Sequence, residues 1–418
     1  MKKKKLKIAL TILLVIIAVL VIVPLAGLRP VPPLGDNFPP PIITNLPDLQ
    51  LPEGIVSAIF VEATDGDDDG MTRLIESMQT YGLNFYQTEE TQDGLIASND
   101  VVLLQINAQW AERGGTNTDL IARVTEAILA HPDGFTGEVI VADNGQAQHG
   151  TNRRGGSLDW SQANSACRSQ STLDVINLFQ AEGYHVTGSL WDDFTRVQVE
   201  EFSEGDFTDG FVVESYLRST GLEITYPKFT TEFGTHVSFR YGIWNGDGFD
   251  TDRLKVINMP VLKSHGWFGQ TGAVKGYMGV TSDRQTRRHA LVPVGRAHFS
   301  VGTGGMGTQM VYTRMPILNI MDMIWIAPDG GPASSYNTAV ETNMIAASLD
   351  PVALDVWTTN HVLIPEAERM LRHSPDSMNP AGTEPGTFGH WLRLSLNEML
   401  VVYNFTMDEN EMLVVFEG

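Results

Sequence analysis

Apolar residues between positions 55 and 187 recur with two alternating periods. Short runs of β-branched and other apolar residues are separated by stretches whose apolar side chains stand three or four positions apart. Strands that alternate with helices favour right-handed crossovers, and therefore a mixed, mostly parallel sheet with helices on both faces. The pattern predicts strands at 55–63, 101–106, 138–142 and 184–187, and helices at 71–81, 117–130 and 172–182.

The pattern is less regular after residue 195. Residues 195–252 contain short β-like segments and several Asp and Gly turns.

In a mostly parallel sheet, ligands bind at the carboxyl ends of the strands, so polar residues there are candidates for a site. The loop 143–170, rich in Gly, Asn, Ser and Gln, has such a position. Further predicted elements are strands at 254–258, 317–327 and 411–416, and helices at 351–361, 366–373 and 391–402.

The amino-terminal segment is typical of a membrane anchor. Five lysines stand among the first seven residues, and Ile8–Leu28 is uncharged for 21 residues. As a helix this run is about 30 Å long, which is enough to cross a bilayer core. The lysines favour a cytoplasmic amino terminus. The sequence therefore predicts a single-pass cell-membrane protein, with 1–28 as its signal anchor and the remainder extracytoplasmic. The alternative is a signal peptide cleaved near Leu25-Ala26-Gly27, although the apolar run is longer than such peptides usually have.

Residues 29–54 are predicted to form an extended linker. Eight of the 21 prolines lie between positions 30 and 52. Proline-rich segments of this kind are extended and semi-rigid, so the linker is interpreted as a stalk. Residues 55–418 are then long enough for one large α/β domain or two closely packed lobes.

Charge and cysteine content exclude several classes of function. The formal net charge is −22, and without the five amino-terminal lysines it is −27. So acidic a chain is not expected to bind nucleic acid or anionic lipid. Cys167 is the single cysteine. It excludes an intrachain disulfide, a cysteine-ligated iron–sulfur cluster and a zinc site with several cysteines.

An acidic loop follows the first predicted strand. Its spacing, D-x-D-x-D-G-x5-E, is one that arranges oxygen ligands around calcium. A strand precedes the loop where an EF-hand has a helix, so the alternative is a solvated turn in which Asp69 caps the next helix. The candidate ligands of a divalent metal such as calcium are Asp65, Asp67, Asp69 and Glu76.

The segment 254–280 places three basic side chains on a glycine-rich stretch just after a predicted strand. Lys263 and His265 alternate, so they share one face of the extended chain. Thr271-Gly272-Ala273 is predicted to begin a short helix whose free amides face an anion, with Lys275 just inside it. The alternative is that the lysines are surface charges and His265 is a core residue. Further basic residues, Arg284, Arg287, Arg288 and His289, follow nearby.

Three aspartates complete the set of candidate residues. Asp350 precedes Pro351 and is the expected N-cap of a helix, with Asp355 five residues further on. Asp322 lies in an apolar strand, where a carboxylate needs a partner.

At these positions the chain resembles the DUF362 family, a group without an assigned function. The resemblance covers roughly residues 55–365 and includes the strand–helix–strand at 101–143. It implies the fold class and the place of the site, but it leaves the reaction open. The matching motifs are Pro260-x-x-Lys263-x-His265, Thr271-Gly272-Ala273-x-Lys275-x-x-x-Gly279, His289, Asp322, Gly330-Gly331-Pro332 and Asp350-Pro351-Val352-Ala353-x-Asp355.

The chain departs from the family pattern in three ways. Gln105-Ile106-Asn107 stands where the family tends to have Lys-Pro-Asn, and Gly276 stands where an asparagine is expected. Many relatives also carry ferredoxin-like cysteine clusters, which this chain lacks. A cation expected beside the site is therefore missing, and redox work through such clusters is excluded.

The leading hypothesis is a cationic pocket for a small carboxylate or phosphate compound. In this hypothesis His265 or His289 acts as a general acid or base, and Asp322 positions a metal or that histidine. One alternative is a non-catalytic envelope protein that binds an anionic ligand or calcium. Another is a scaffold whose Trp244, Trp267 and Trp325 contact partners. The predicted ligand-binding residues are Asn107, Lys263, Thr271, Gly272, Lys275 and Arg288.

Overall fold

The computed structural model describes residues 39–145, 156–161, 163–286, 296–331, 333–370 and 375–417. The predicted anchor at 1–28 therefore lies outside the described residues. Among those residues, no helix is both long enough and apolar enough to cross a membrane.

The strands form two sheets, a large mixed one and a small antiparallel one. The large sheet has ten strands, of which eight follow the order β15-β1-β14-β13-β10-β2-β3-β4, while β11 pairs with β13 and β12. The small sheet has the order β5-β6-β7-β8-β9. In chain order the strands are β1 (Ser57–Ala63), β2 (Val101–Gln105), β3 (Glu138–Asp143), β4 (Val186–Leu190), β5 (Gly210–Val213), β6 (Thr225–Thr230), β7 (His236–Ser238), β8 (Gly242–Trp244), β9 (Phe249–Asp250), β10 (Leu254–Asn258), β11 (Val261–His265), β12 (Gly269–Thr271), β13 (Leu318–Ala327), β14 (Val340–Ser348) and β15 (Met412–Glu417).

The large sheet is mostly parallel and buried on both faces. The neighbours β13, β10, β2, β3 and β4 all pair in parallel, whereas β14 is antiparallel to both β1 and β13. Successive residues of one strand enter opposite cores: Leu103 packs into one apolar cluster, and Val102 and Leu104 pack into the other. This arrangement confirms the predicted fold class.

The small sheet explains the irregular pattern of residues 195–252. Its five strands are between two and six residues long, so each is too short to show a clear alternation. Phe211, Phe229 and Ile243 of this sheet belong to the same apolar cluster as Leu103 of the large sheet. The small sheet therefore packs onto the large one through a shared core.

Most predicted helices are present, with small shifts at their ends. Asp350 accepts hydrogen bonds from the amides of Val352 and Ala353, which confirms it as the N-cap of a helix. That helix becomes a wider π-helical turn at Thr359–Leu363. The α-helices are α1 (Gly70–Thr80), α2 (Thr118–Leu129), α3 (Thr172–Ala181), α4 (Ala273–Gly276), α5 (Ala297–Ser300), α6 (Gly305–Tyr312), α7 (Pro351–Thr358), α8 (Ile364–Arg369) and α9 (Phe388–Met399).

The described part of the predicted linker, 39–54, forms neither helix nor strand. It lies against the domain. Leu46 packs against both apolar clusters, and Leu49 and Leu51 pack against one of them. The Thr44 amide donates to the hydroxyl of Tyr403 at 3.0 Å. This end of the linker is therefore held on the folded domain.

Candidate functional site

Strand β11 places the side chains of Lys263 and His265 in the protein interior. It lies beside β13 with an irregular register, in which Val261 is opposite Asp322 and Lys263 is opposite Ala327. Lys263 is 1% exposed and His265 is 8% exposed. Because the two residues alternate on one strand, both side chains reach the same cavity.

The cavity has a volume of about 150 Å³ and lies at the carboxyl ends of β2, β3 and β11. One wall comes from β11, β12 and the helical segment after them, together with His298 of α5. The opposite wall comes from the residues that follow β2 and β3. Asn107, Lys263, His265, Thr271 and Lys275 were predicted as site residues, and they line it together. The remaining lining residues are Gln109, Trp110, Asp143, Asn144, Gly276, Met278, Gly279 and His298.

The two lysines are buried in this cavity wall. Burial, together with the neighbouring charge of Lys275, lowers the pKa of Lys263 to about 7, although the charges of Asp143 and Asp322 oppose this shift. Its Nζ donates to the carbonyl oxygen of Gly114 at 2.5 Å. Burial also lowers the pKa of Lys275 to about 8. Lys275 Nζ lies 5.5 Å from the centre of the Phe268 ring. Neither lysine is thus an ordinary surface charge.

Both histidines of the cavity are neutral at physiological pH. Burial lowers the pKa of His265 to about 2, helped by the charge of Lys275. Its Nδ1 accepts from the Trp267 amide at 3.2 Å, so the ring proton is on Nε2. Burial and Lys275 lower the pKa of His298 to about 4, even though Asp283 opposes this shift. Both imidazoles are therefore hydrogen-bonding groups, and the predicted role of His265 as an acid or base stays a prediction that this pKa does not favour.

Asp143 is a cavity carboxyl group that the sequence pattern did not single out. It lies at the end of β3, where its Oδ2 accepts from the Ala108 amide at 2.7 Å. Its Oδ1 accepts from Gln105 Nε2 at 3.3 Å. Burial raises the pKa of Asp143 to about 7. Gln105 therefore places a neutral amide beside this carboxyl group.

The amides at the start of α4 are occupied by a carboxylate of the protein itself. Asp355 accepts from the amides of Ala273 at 2.6 Å and Val274 at 3.0 Å. A β-carbon on Gly272 would lie 2.2 Å from Asp355 Oδ1, so glycine permits this close approach. The glycine-rich sequence pattern predicted an external anion at these amides. Within the described residues they bind Asp355, and Gly272 is not among the residues that line the cavity.

Asp322 lies outside the cavity lining, in the interior of β13. Its Oδ2 accepts from the Asn117 amide at 2.8 Å, and its Oδ1 accepts from the Ile324 amide at 3.1 Å. Burial raises the pKa of Asp322 to about 6, whereas the charges of Lys263 and Arg113 oppose the shift. Its observed contacts therefore hold the start of α2 and the irregular part of β13.

The acidic loop forms ion pairs with arginines. Asp67 pairs with Arg123 at 2.6 Å, and Asp69 pairs with Arg73. Asp65 and Glu76 lie at the ends of the motif, and Glu76 is exposed on α1. Within the described ranges, no group of three or more His, Cys, Asp or Glu residues is placed to hold a metal ion. Calcium binding stays a prediction.

Two predicted site residues, Arg288 and His289, lie outside the described residues, so their relation to the cavity stays open. His298 joins the cavity from α5. No local spacing links it to β11, because the two histidines are 33 positions apart in the chain.

Comparison with known proteins agrees with the resemblance over part of the chain. A family model described as a domain of unknown function (DUF362) matches residues 251–360. This range runs from β10 to α7 and contains Lys263, His265 and Lys275. No curated protein matches the chain. No solved structure matches it either.

Proposed function

We propose that the cavity binds a small anion, a carboxylate or phosphate compound, between Lys263 and Lys275. The observation that carries this proposal is the burial of two lysine side chains in one small cavity. Neither lysine forms an ion pair with a carboxylate among the described residues. Burying an ammonium group without a partner is costly, and a bound anion offsets that cost.

The volume limits the size of the ligand. A cavity of about 150 Å³ accepts a molecule of roughly the size of benzene. Inorganic phosphate and short carboxylic acids fit such a space, whereas a nucleotide extends beyond it. The half-buried side chains of Asn107, Trp110 and His298 lie at its more exposed side.

Neutral hydrogen-bonding groups complement the two lysines. The hydroxyl oxygen of Thr271 is buried and has no hydrogen-bond partner within the part of the chain that the structure describes. Asn107 uses its Oδ1 to accept from the Val261 amide at 3.0 Å, which leaves its Nδ2 donor for a ligand. Since His265 carries its proton on Nε2, it is a further donor. The site thus offers several donors to the oxygen atoms of one anion.

The proposal also places this domain outside the cytoplasm. The support comes from the lysine-rich amino terminus and the 21-residue uncharged run that follows it. A carboxylate or phosphate compound of the cell envelope is then the ligand class that this location favours.

A thermal-shift experiment tests the anion proposal. Phosphate and acetate are added to the purified protein, with chloride at the same ionic strength as the reference. We expect both anions to raise the melting temperature of the wild type, and expect Lys275→Met to abolish the increase. Lys255→Met is the matched control, because it also removes one lysine but changes a strand position outside the cavity. Equal stabilisation of wild type and Lys275→Met would contradict the proposal.

A further inference from the structure

The two lysines of the cavity differ in their surroundings, and this difference indicates different chemical roles. Lys275 lies beside the Phe268 ring, and the charge of Asp283 favours its protonated form. Among the described residues the Lys263 side chain has one hydrogen bond, to the Gly114 carbonyl oxygen, and the charges of Asp143 and Asp322 only partly offset the lowering of its pKa by burial and by Lys275. In its neutral form the Lys263 amine donates this hydrogen bond and keeps its lone pair free. Lys263 can therefore attack a ligand, whereas Lys275 is suited to hold a negative charge.

We propose that Lys263 is a nucleophilic amine that forms a Schiff base with the ketone carbon of a small 2-oxo acid, while Lys275 binds the carboxylate of that acid. This inference rests on the proposed function, because it assigns the anion to a carboxylate. It adds the requirement that the carboxylate is next to a carbonyl group. Pyruvate, which is about as large as benzene, is the simplest compound of this class that the cavity accommodates.

Two features of the cavity activate an amine. Burial disfavours the ammonium form, and a second cation nearby disfavours it further; both effects are known to convert lysine into a nucleophile. Lys263 is fully buried and is close enough to Lys275 for the two charges to interact. An exposed lysine lacks both features and stays protonated at neutral pH.

The reaction balances without an oxidant or a metal. The lone pair of Lys263 Nζ forms a bond to the carbonyl carbon, and the π electrons of the carbonyl move to its oxygen. That oxygen takes up a proton, and Nζ loses one, which gives a carbinolamine. A second proton converts the hydroxyl group into water, which leaves, and the nitrogen lone pair forms the C=N bond. The overall change joins the neutral amine, the ketone and one proton into an iminium ion and releases one water.

Asp143 is placed to exchange these protons. It lines the same cavity, and burial brings its pKa to about 7, so its acid and base forms are both populated near neutral pH. His265 offers a neutral Nε2–H donor to the oxygen that develops charge. The residues around Lys263 therefore supply both a proton relay and a hydrogen-bond donor.

Reductive trapping tests this inference on the purified protein. The protein is incubated with pyruvate and sodium cyanoborohydride, and the adduct is located by peptide mass mapping. We expect the adduct on Lys263 in the wild type and in Lys255→Met. In Lys275→Met we expect at least a tenfold slower reaction, and in Lys263→Arg no adduct at the site. Acetone, which has a ketone but no carboxylate, is expected to react much more slowly than pyruvate.

The same samples separate the two proposals. If pyruvate and lactate both stabilise the wild type, and Lys275→Met loses this stabilisation, but no adduct forms on Lys263, the Schiff-base inference is overturned and the anion site stands. If neither acid stabilises the protein and the adducts are spread over exposed lysines, both proposals fail. Because peptide mapping locates the adduct in the wild type itself, the test does not depend on whether Lys263→Arg folds. Phosphate added as a competitor should slow the labelling of Lys263 alone.

Discussion

The carboxyl group of Asp143 lies against the α-carbon of Gly279. A β-carbon on Gly279 would lie 2.1 Å from Asp143 Oδ1 and 2.6 Å from Gln105 Nε2. Both side chains are buried at the ends of neighbouring strands, so they have little room to move. This contact joins the two walls of the cavity, and it requires glycine at position 279.

Gly279→Ala should therefore damage both stability and binding. The added methyl group displaces Asp143 and Gln105, and overpacking of this kind costs about 1–3 kcal/mol of unfolding free energy. We also expect weaker stabilisation of the variant by phosphate. Urea denaturation and thermal shifts measure the two effects. Gly266→Ala is the control, because a β-carbon there meets nothing within 4 Å. Equal losses in both variants would show that the Asp143 contact is unimportant.

Removal of the Asp355 carboxylate should destabilise the domain. In Asp355→Ala the amides of Ala273 and Val274 lose their partner in a buried place, which costs roughly 3 kcal/mol. Asp355→Asn keeps one acceptor oxygen, so we expect it to recover part of the loss. Urea denaturation of the wild type and the two variants at one pH gives the order of their unfolding free energies. An alanine variant as stable as the wild type would contradict the role of Asp355 as the internal hydrogen-bond acceptor for the α4 amides.

The depressed pKa of Lys263 predicts a pH-dependent stability difference. Burial lowers this pKa from 10.5 to about 7 in the folded protein. Between these pH values the unfolded chain binds the extra proton, so the contribution of Lys263 to the unfolding free energy rises with pH. Below pH 7 its cost is largest, at most roughly 5 kcal/mol. Lys263→Met removes this cost.

We therefore expect Lys263→Met to be most stabilised relative to the wild type near pH 6, and expect that advantage to shrink towards pH 10. Denaturation curves at several pH values measure the change. Loss of the hydrogen bond to Gly114 changes the unfolding free energy of the variant by an amount that does not vary with pH. The slope of the stability difference with pH is therefore the informative quantity. A difference between Lys263→Met and wild type that is constant with pH would refute the assignment.

His265 should remain neutral across the physiological range. Burial and the charge of Lys275 lower its pKa to about 2, so its protonation should not change between about pH 5 and 8. Histidine ring resonances followed by NMR, and assigned with His265→Gln, measure this directly. The exposed His361 is a useful internal comparison, since it pairs with Glu409 at the surface. Titration of His265 near neutrality would restore its predicted role as an acid or base.

Local patterns were sufficient to predict the parts of the site that are close in sequence. Lys263 and His265 alternate on one strand, and the alternation correctly predicts that they share a face. Asp350 followed by Pro351 correctly predicts a helix start. These features depend on a few neighbouring residues, so a single sequence contains them.

Contacts between distant elements could not be predicted in this way. Asp355 reaches the α4 amides across 82 positions of the chain, and no spacing indicates such a pairing. The residue pattern places Asp143 at the beginning of a polar loop, although it is the last residue of a buried strand. Strand β14 was also not predicted, although half-buried and exposed residues alternate regularly over its first half and its second half is buried.

The cavity described above has walls from two separate stretches of the chain. The two lysines belong to the matched segment 251–360, whereas Asn107, Trp110 and Asp143 come from β3 and the residues after β2, which the family model does not match. The lysines and the wall that faces them are thus encoded in separate stretches of the chain. Substitutions in the earlier stretch would change the shape of the cavity while both lysines stay in place.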